Sequence, residues 1–266
     1  MQSTLALSRG RSLPDHEAIR LMMAATGRTR TDVVLGFEIT SEEVERFDTF
    51  VERRSSDEPL QYIEGSVPFG PVDLFVDDRV LVPRPETEYM FERIVATVES
   101  PAVIVDLCCG SGNLALALAA TFATARTYAT DLSTLACDVA AANAEANDLM
   151  IEVLVGDLFE ALPSSLEGHV DLIVANPPYI GSAEMSDLPP DVRREPTMAL
   201  LGGERGDEIV ARIAGEAVRW LSPGGLIFCE ISEFNTDRTL DHFRHLRGEI
   251  HHDLTGRPRF VQGRRS

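Results

Sequence analysis

From residue 86 onward, short apolar runs near 102–107, 126–131, 151–156, 170–175 and 225–231 alternate with helical patterns at about 86–98, 113–122, 134–147, 206–221 and 236–246. This rhythm constrains the chain more than any other feature. Apolar runs of strand length are buried on both faces, and joining them through helices makes the neighbouring strands parallel. The expected fold class is α/β, a doubly wound and mostly parallel sheet. Two further extended pieces, 249–253 and 259–262, flank Thr255-Gly256-Arg257-Pro258 and predict an antiparallel terminal hairpin.

Ahead of this body, residues 13–58 read as helices. Asp15 is placed to cap a segment that carries Ile19, Met22 and Met23 on one face. Thr40-Ser41-Glu42-Glu43 is a capping box that turns Val44, Phe47, Phe50 and Val51 inward. Pro59 interrupts the helices, and residues 66–82 alternate and turn at Gly70-Pro71 and Asp77-Asp78. Three units follow: a small helical N-terminal domain at 1–65 suited to docking a partner, a β-hairpin connector at 66–82, and a catalytic domain at 83–266. A length of 266 residues suits one ordinary domain with such an appendage.

Acidic residues number 43 against 24 basic ones, all arginine, for a net charge of −19. A chain without lysine cannot form a lysine Schiff base or a P-loop lysine contact. Its acidity repels phosphate backbones, so stable nucleic-acid binding is not expected and a basic protein partner is easier to accommodate. The longest apolar run, near 114–120, is too short for a membrane span. Leu5-Ala6-Leu7 precedes Arg9 and Arg11, the wrong order for a secretory leader, so the expected location is cytoplasmic. Cys108, Cys109, Cys137 and Cys229 lack C-x-x-C spacing and read as reduced thiols. His242, His245, His251 and His252 come without H-E-x-x-H or a ligating cysteine, so no metal is expected. Arg257, Arg259, Arg264 and Arg265 read as a solvated tail.

In doubly wound sheets, ligands sit beyond the carboxyl ends of the strands where strand order reverses. The first strand of the body runs through Asp106-Leu107-Cys108-Cys109-Gly110-Ser111-Gly112 into a helix. Gly110 and Gly112 permit a tight turn and close backbone approach to a ligand. Nineteen residues past Gly112, Asp131 ends the next strand, where a carboxylate can accept both hydroxyl hydrogens of a ribose. Together these features point to a nucleoside cofactor. Gly110-Ser111-Gly112-Asn113-Leu114-Ala115 also satisfies the dinucleotide fingerprint, so this stretch alone leaves a nicotinamide-dependent oxidoreductase open.

The strand 171–175 resolves the choice, because it leads directly into Asn176-Pro177-Pro178-Tyr179. Prolines cannot continue a central strand, so the chain leaves the sheet as a rigid loop with Asn176 at the rim. An amide or aromatic-amine nitrogen delocalises its lone pair and attacks a methyl group poorly. The Asn176 side-chain oxygen and the Pro177 carbonyl could accept both of its N–H hydrogens, localise the lone pair and aim it at a sulfonium methyl. Tyr179 would offer a π face beside the cation.

Over nearly its whole length, about 15–263, the sequence resembles the HemK/PrmC-like S-adenosylmethionine-dependent protein-(glutamine-N5) methyltransferases, the release factor glutamine methyltransferase family. Glu58-Pro59-Leu60-Gln61-Tyr62-Ile63, the stretch Val80 to Glu88, Asp106 to Gly112, Asn176 to Tyr179, Glu195-Pro196 with Gly202-Gly203, and Asp253 to Arg259 carry the resemblance. It implies a Rossmann-like class I methyltransferase fold and S-adenosyl-L-methionine as cofactor. Cofactor contacts would fall on Cys108, Cys109, Gly110, Ser111, Gly112, Asp131, Asp157, Leu158 and Asn176. Asn176, Pro177 and Tyr179 would be catalytic, and Asn176, Pro177, Pro178, Tyr179, Arg84 and Glu86 would bind substrate. The implied reaction is N5-methylation of a glutamine in the Gly-Gly-Gln loop of a peptide chain release factor, by a monomer. The sequence departs from the family twice. Cys108 stands where glycine is usual, so a glycine-only backbone conformation is either not needed or not adopted there. Glu230-Ile231-Ser232-Glu233-Phe234 replaces Glu-x-Gly-Tyr and adds Glu233 near the rim, with solvation its plainer role. That departure keeps open a methyltransferase for a small amine, guanidine or amide such as arginine. An adenine-N6 DNA methyltransferase is disfavoured by charge and size, and a protein that binds cofactor without turnover is the non-enzyme alternative.

Overall fold

The computed structural model describes residues 13–253 and 255–266. Leu5, Leu7, Arg9 and Arg11, on which the leader argument rests, lie outside the described residues, as does Leu254. The helical unit comprises α1 (Asp15–Thr26), α2 (Arg30–Leu35), α3 (Ser41–Ser55) and α4 (Leu60–Glu64). Thr40 caps α3 through the expected box, its side chain accepting from the Glu43 N–H while the Glu43 carboxylate accepts from the Thr40 N–H. The expectation for Asp15 is corrected: Pro14 precedes α1 without a side-chain cap, and Asp15 lies in the first turn, where it complements the helix dipole. Leu21, Met22, Ala25, Val33, Val44, Phe47, Leu60 and Ile63 form the apolar centre of this unit.

A hairpin follows, β1 (Ser66–Phe69) paired antiparallel with β2 (Val72–Phe75) across Gly70-Pro71. The body then runs α5 (Pro85–Thr97), β3 (Val103–Leu107), α6 (Asn113–Thr121), β4 (Arg126–Asp131), α7 (Thr134–Ala146), β5 (Glu152–Val155) and β6 (Val170–Ala175). It continues with β7 (Ile180–Gly181), α8 (Thr197–Leu200), β8 (Leu201–Gly203), α9 (Glu208–Trp220), β9 (Leu221–Glu230), α10 (Thr236–His242), β10 (Glu249–His252) and β11 (Pro258–Arg264).

The main sheet has the order β10-β11-β9-β6-β3-β4-β5. Pairing is parallel from β9 to β5; β10 and β11 form the expected antiparallel terminal hairpin, which joins the sheet through antiparallel pairing of β11 with β9. Alternation along each central strand divides the core into two layers. Ile104, Leu172, Val174 and Phe228 face α5, α6 and the hairpin, whereas Val105, Ile173, Ala175, Ile227 and Cys229 face α9. The chain leaves β3 toward β4 and β5 on one side and returns to β6 on the other. The sheet therefore parts between β3 and β6 at their carboxyl ends, the place where such folds open a crevice.

Asn143 of α7, fully buried, ties the connector to this crevice. Its Nδ2 donates to Ser111 O (2.9 Å) and Phe75 O (3.0 Å), and its Oδ1 accepts from the Phe75 N–H (2.8 Å). Replacing it strands these backbone groups in a water-poor seam. Asn143→Ala is expected to lower unfolding free energy by about 2 kcal/mol in urea titration; an unchanged midpoint would show that the seam is not stabilising.

Candidate active site

The carboxyl ends of β3 to β6 open on one cavity of about 790 Å³, with the turn from β3 to α6 as its floor. Two backbone bonds and one to a side chain fold that turn: Cys109 N–H to Thr130 O (3.0 Å), Gly112 N–H to Cys109 O (2.8 Å) and Gly110 N–H to Asp131 Oδ2 (2.9 Å). Gly110 and Gly112 both take left-handed conformations, at φ +54° and +81°. A Cβ at Gly110 would meet nothing within 4 Å, so the missing side chain leaves open cavity above the backbone. At Gly112 a Cβ would come within 3.2 Å of the Ala140 Cβ, and the glycine lets α6 and α7 pack there.

Cys108 also has φ +59°. The expectation that the glycine-type conformation is either not needed or not adopted at this position is therefore corrected: it is adopted, with a side chain that costs about 1–2 kcal/mol. Leu158, on the opposite wall, is likewise left-handed at φ +51°. Strained backbone held in place by its surroundings concentrates where a site is being shaped.

Two acids flank the turn. Asp131 receives N–H groups from Gly110 and Ser133, the latter at 2.9 Å; burial pushes its carboxyl above the ordinary range against those bonds. Lone pairs remain on both oxygens for further donors. Asp106 lies beneath the turn and is only 1% exposed. Its Oδ2 accepts from the Ala115 N–H (2.9 Å), while Oδ1 finds no partner among the described residues. Burial, with the Asp131 charge adding to it, pushes the Asp106 carboxyl up to about 8. Asp157, at the far wall, accepts from Arg212 (2.9 Å).

At the end of β6 the chain leaves the sheet through Asn176-Pro177-Pro178-Tyr179, as the prolines require. The Asn176 Nδ2 donates to Thr87 Oγ1 (3.0 Å), Thr87 Oγ1 donates to Glu230 Oε2 (2.7 Å), and the Tyr179 hydroxyl donates to Glu230 Oε1 (3.0 Å). Among the described residues nothing donates to Asn176 Oδ1. Burial raises Glu230 to about 7 against its two donors, and the Glu230 charge, with burial, holds the Tyr179 phenol well above its ordinary value. The loop exit is pinned by parallel pairing of β7 with β8. A Cβ on Gly202 would stand 2.5 Å from Pro178 O and 2.8 Å from Tyr179 Cα, so only glycine lets β8 pass this close.

Of the residues singled out from sequence, Cys108, Cys109, Gly110, Ser111, Asp131, Asp157, Leu158, Asn176 and Pro178 line this cavity together. Gly112 lies behind the turn, Pro177 is buried, and Tyr179 is turned onto Glu230. Arg84 pairs with the buried Glu195 and lines a neighbouring groove of about 520 Å³, and Glu86 stands 3.7 Å from Arg259. Glu233 faces Arg257 at 3.9 Å. Sequence reasoning missed Asp78, Arg79, Val80 and Leu81 of the connector, and Met198, as cavity walls. It also passed over Thr87 and Glu230 as partners of the loop. Thr87 lies inside a stretch that carries the resemblance and Glu230 opens the stretch that departs from it, and nothing in their spacing shows that they meet. Among the described residues, no group of three or more His, Cys, Asp or Glu could hold a metal ion.

Residues 87–188 match the methyltransferase small domain, and residues 3–65 match the PrmC N-terminal domain. The chain is 37% identical to a release factor glutamine methyltransferase of Deinococcus radiodurans, over 100% of this chain and 96% of that protein. It is 39% identical to one of Mycolicibacterium smegmatis, over 99% and 94%. Among solved structures it is similar to a methyltransferase from Pyrococcus furiosus, with a TM-score of 0.55 and 18% identity over 73% of this chain and 89% of that one. It is also similar to a T. thermophilus 16S rRNA methyltransferase in complex with AdoMet and guanosine, with a TM-score of 0.52 and 19% identity over 76% and 50%. Those two likenesses concern the Rossmann-like fold.

Gly202→Ala should push Pro178 and Tyr179 away from β8 and cost about 2 kcal/mol of stability in urea titration, with the displaced loop visible in a crystal structure of the variant. An undisturbed loop would contradict the packing argument. A second expectation concerns pH. Asp106 keeps its proton up to about 8 when folded and releases it above 3.8 when unfolded. Between those values the folded state binds the extra proton, so its contribution to stability falls as pH rises. Asp106→Asn should therefore gain stability relative to wild type steadily from about pH 4 to pH 8; a difference independent of pH would refute the buried-acid assignment.

Proposed function

We propose the reaction from a plain premise: the chain belongs to the release factor glutamine methyltransferase family. It is a methyltransferase that uses S-adenosyl-L-methionine to methylate the side-chain amide nitrogen, N5, of a glutamine in a release factor. The glutamine we assign is that of the Gly-Gly-Gln loop. S-adenosylmethionine supplies, when bound, a methyl group on a positively charged sulfur.

The residues present fit that cofactor. The open space at Gly110 is a cradle that any side chain would fill, and Asp131 on the cavity wall keeps lone pairs on both carboxyl oxygens for further donors. We assign residues 108–112 to the methionine end of the cofactor, Asp131 to the ribose hydroxyls, and Asp157 with Leu158 to the adenine side. Asn176 and the Pro177 carbonyl receive the two amide hydrogens of glutamine, and Pro178 and Tyr179 wall the acceptor. The one observation carrying this assignment is the orientation of Asn176, whose nitrogen is engaged by Thr87 while its oxygen has no donor among the described residues. Two acceptors pull the acceptor amide out of conjugation and hold it in one orientation; positioning of this kind is worth about 7–11 kcal/mol in favourable systems. No general base is needed, because the methylated nitrogen sheds its proton readily.

The small-amine reading is not favoured, since the carboxylates that would attract a cation face other partners: Glu230 meets Thr87 and Tyr179, and Glu233 meets Arg257. We assign residues 1–65 to docking of the release factor, 66–82 to the connector and 83–266 to methyl transfer. Supporting this division, Arg20, Met23, Gln61 and Glu64 line the groove that also holds Arg84, and Pro83 borders both that groove and the cavity. We place Arg84 and Glu86 along this approach. The strongly acidic chain suits a basic protein surface and opposes nucleic acid. We infer a monomer acting in the cytoplasm; no helix among the described residues is long and apolar enough to cross a membrane.

Incubation with purified release factor and S-adenosylmethionine, followed by tandem mass spectrometry, should find one added methyl on the Gly-Gly-Gln glutamine. Asn176→Ala should lower kcat at least about 100-fold while weakening cofactor binding far less. Full activity in that variant would refute its role.

A further inference from the structure

We infer that Glu230, acting through Thr87, fixes which end of the Asn176 carboxamide faces the cavity and so makes the site accept an amide and reject a carboxylate. The inference rests on the reading of Asn176 as the glutamine acceptor and adds two positioning residues and a rule of specificity to it.

A carboxamide has two ends of nearly equal shape and opposite hydrogen-bonding character. Shape alone does not choose between them, so the neighbour must. That neighbour is Thr87 Oγ1, which has one proton to give. The proton goes to Glu230 Oε2, and both Glu230 oxygens act as acceptors, the second toward the Tyr179 hydroxyl. With its proton committed, Thr87 can only accept from the side facing Asn176, and the group that meets it must be the NH₂. The oxygen is left for the cavity. Thr87 is fully buried and Glu230 only 2% exposed, so no water competes for these bonds. A flipped Asn176 would set its oxygen against a hydroxyl oxygen whose proton is already used, leaving buried acceptors face to face.

Substrate selection follows from this polarity. An acceptor oxygen at Asn176 welcomes the N–H groups of glutamine. Facing glutamate, the same atom meets another acceptor, and a site built to hydrogen-bond one group rejects the analogue that lacks it far better than apolar contact does. Glu230 also holds the other end of the loop through Tyr179, so one buried carboxylate sets both residues that flank the two prolines.

The test compares wild type, Thr87→Val, Thr87→Ser and Glu230→Gln, each first checked for thermal midpoint and S-adenosylmethionine affinity. Two readouts are used: steady-state methylation of release factor, and equilibrium binding of a Gly-Gly-Gln peptide and its Gly-Gly-Glu counterpart in the presence of S-adenosylhomocysteine. Thr87→Val, which keeps the shape and loses the hydroxyl, should lower kcat about 100-fold with cofactor affinity nearly unchanged, and should narrow the preference for the glutamine peptide. Thr87→Ser should restore both. Glu230→Gln can present its own NH₂ to Thr87, and it should shift both readouts in the direction of Thr87→Val. Combining Thr87→Val with Glu230→Gln should add little to Thr87→Val alone, because the two act in series. The inference is overturned if Thr87→Val keeps wild-type kcat and peptide preference, or if Thr87→Ser is as impaired as Thr87→Val. Failure of wild type to methylate release factor or to prefer the glutamine peptide would instead overturn the acceptor assignment beneath it.

Discussion

A carboxylate buried at the end of a central strand must be given hydrogen bonds, and at Glu230 that requirement organises the site. Thr87 answers from the first turn of α5 and Tyr179 from the loop after β6, so three segments remote in sequence are locked at one point. Asn176 enters the same system through Thr87. Because the cluster excludes water, each bond limits the choices of the next, and the carboxamide is left with a single satisfied orientation. The assigned chemistry uses the atom that this arrangement leaves over, the side-chain oxygen.

The sheet supplies the location. Parting of the chain between β3 and β6 leaves a gap at the carboxyl ends, and the turn after β3 fills its floor with backbone N–H groups and glycine. Strain is tolerated along this floor. Cys108 and Leu158 both hold left-handed conformations on the cavity wall, where Thr130 braces each side, its carbonyl accepting from the Cys109 N–H and its hydroxyl donating to Leu158 O (3.1 Å). Asn143 ties the hairpin to the turn after β3, and the connector residues that follow the hairpin, Asp78 to Leu81, become cavity wall.

Much of this was legible from sequence, for physical reasons. The parallel sheet announced itself because strands buried on both faces must be apolar throughout, as Val103-Ile104-Val105 and Leu172-Ile173-Val174 are. Gly110, Gly112 and Asp131 were visible because a tight turn and a strand-end acid have few alternative uses in such a sheet. The Asn-Pro-Pro-Tyr loop stood out because proline ends a central strand. What stayed hidden were meetings between side chains far apart in the chain. Thr87 and Glu230 are separated by 143 residues, and no local pattern tells that their oxygens lie 2.7 Å apart. Asn143 looked like an ordinary helix residue, since its bonds reach into a hairpin 68 positions away. The Cys108 backbone was misjudged because a side chain there argued against the left-handed region, whereas the surrounding hydrogen bonds hold it in place. Asp15 was misjudged because a capping preference cannot tell the residue before a helix from the first residue within it.

The most direct measurement is a crystal structure of the protein with S-adenosylhomocysteine and a peptide carrying the glutamine. The account predicts the glutamine Nε2 within hydrogen-bonding distance of both Asn176 Oδ1 and Pro177 O, with Asn176 Nδ2 still on Thr87. A glutamine side chain lying elsewhere, or held there by donors in place of those two oxygens, would contradict it.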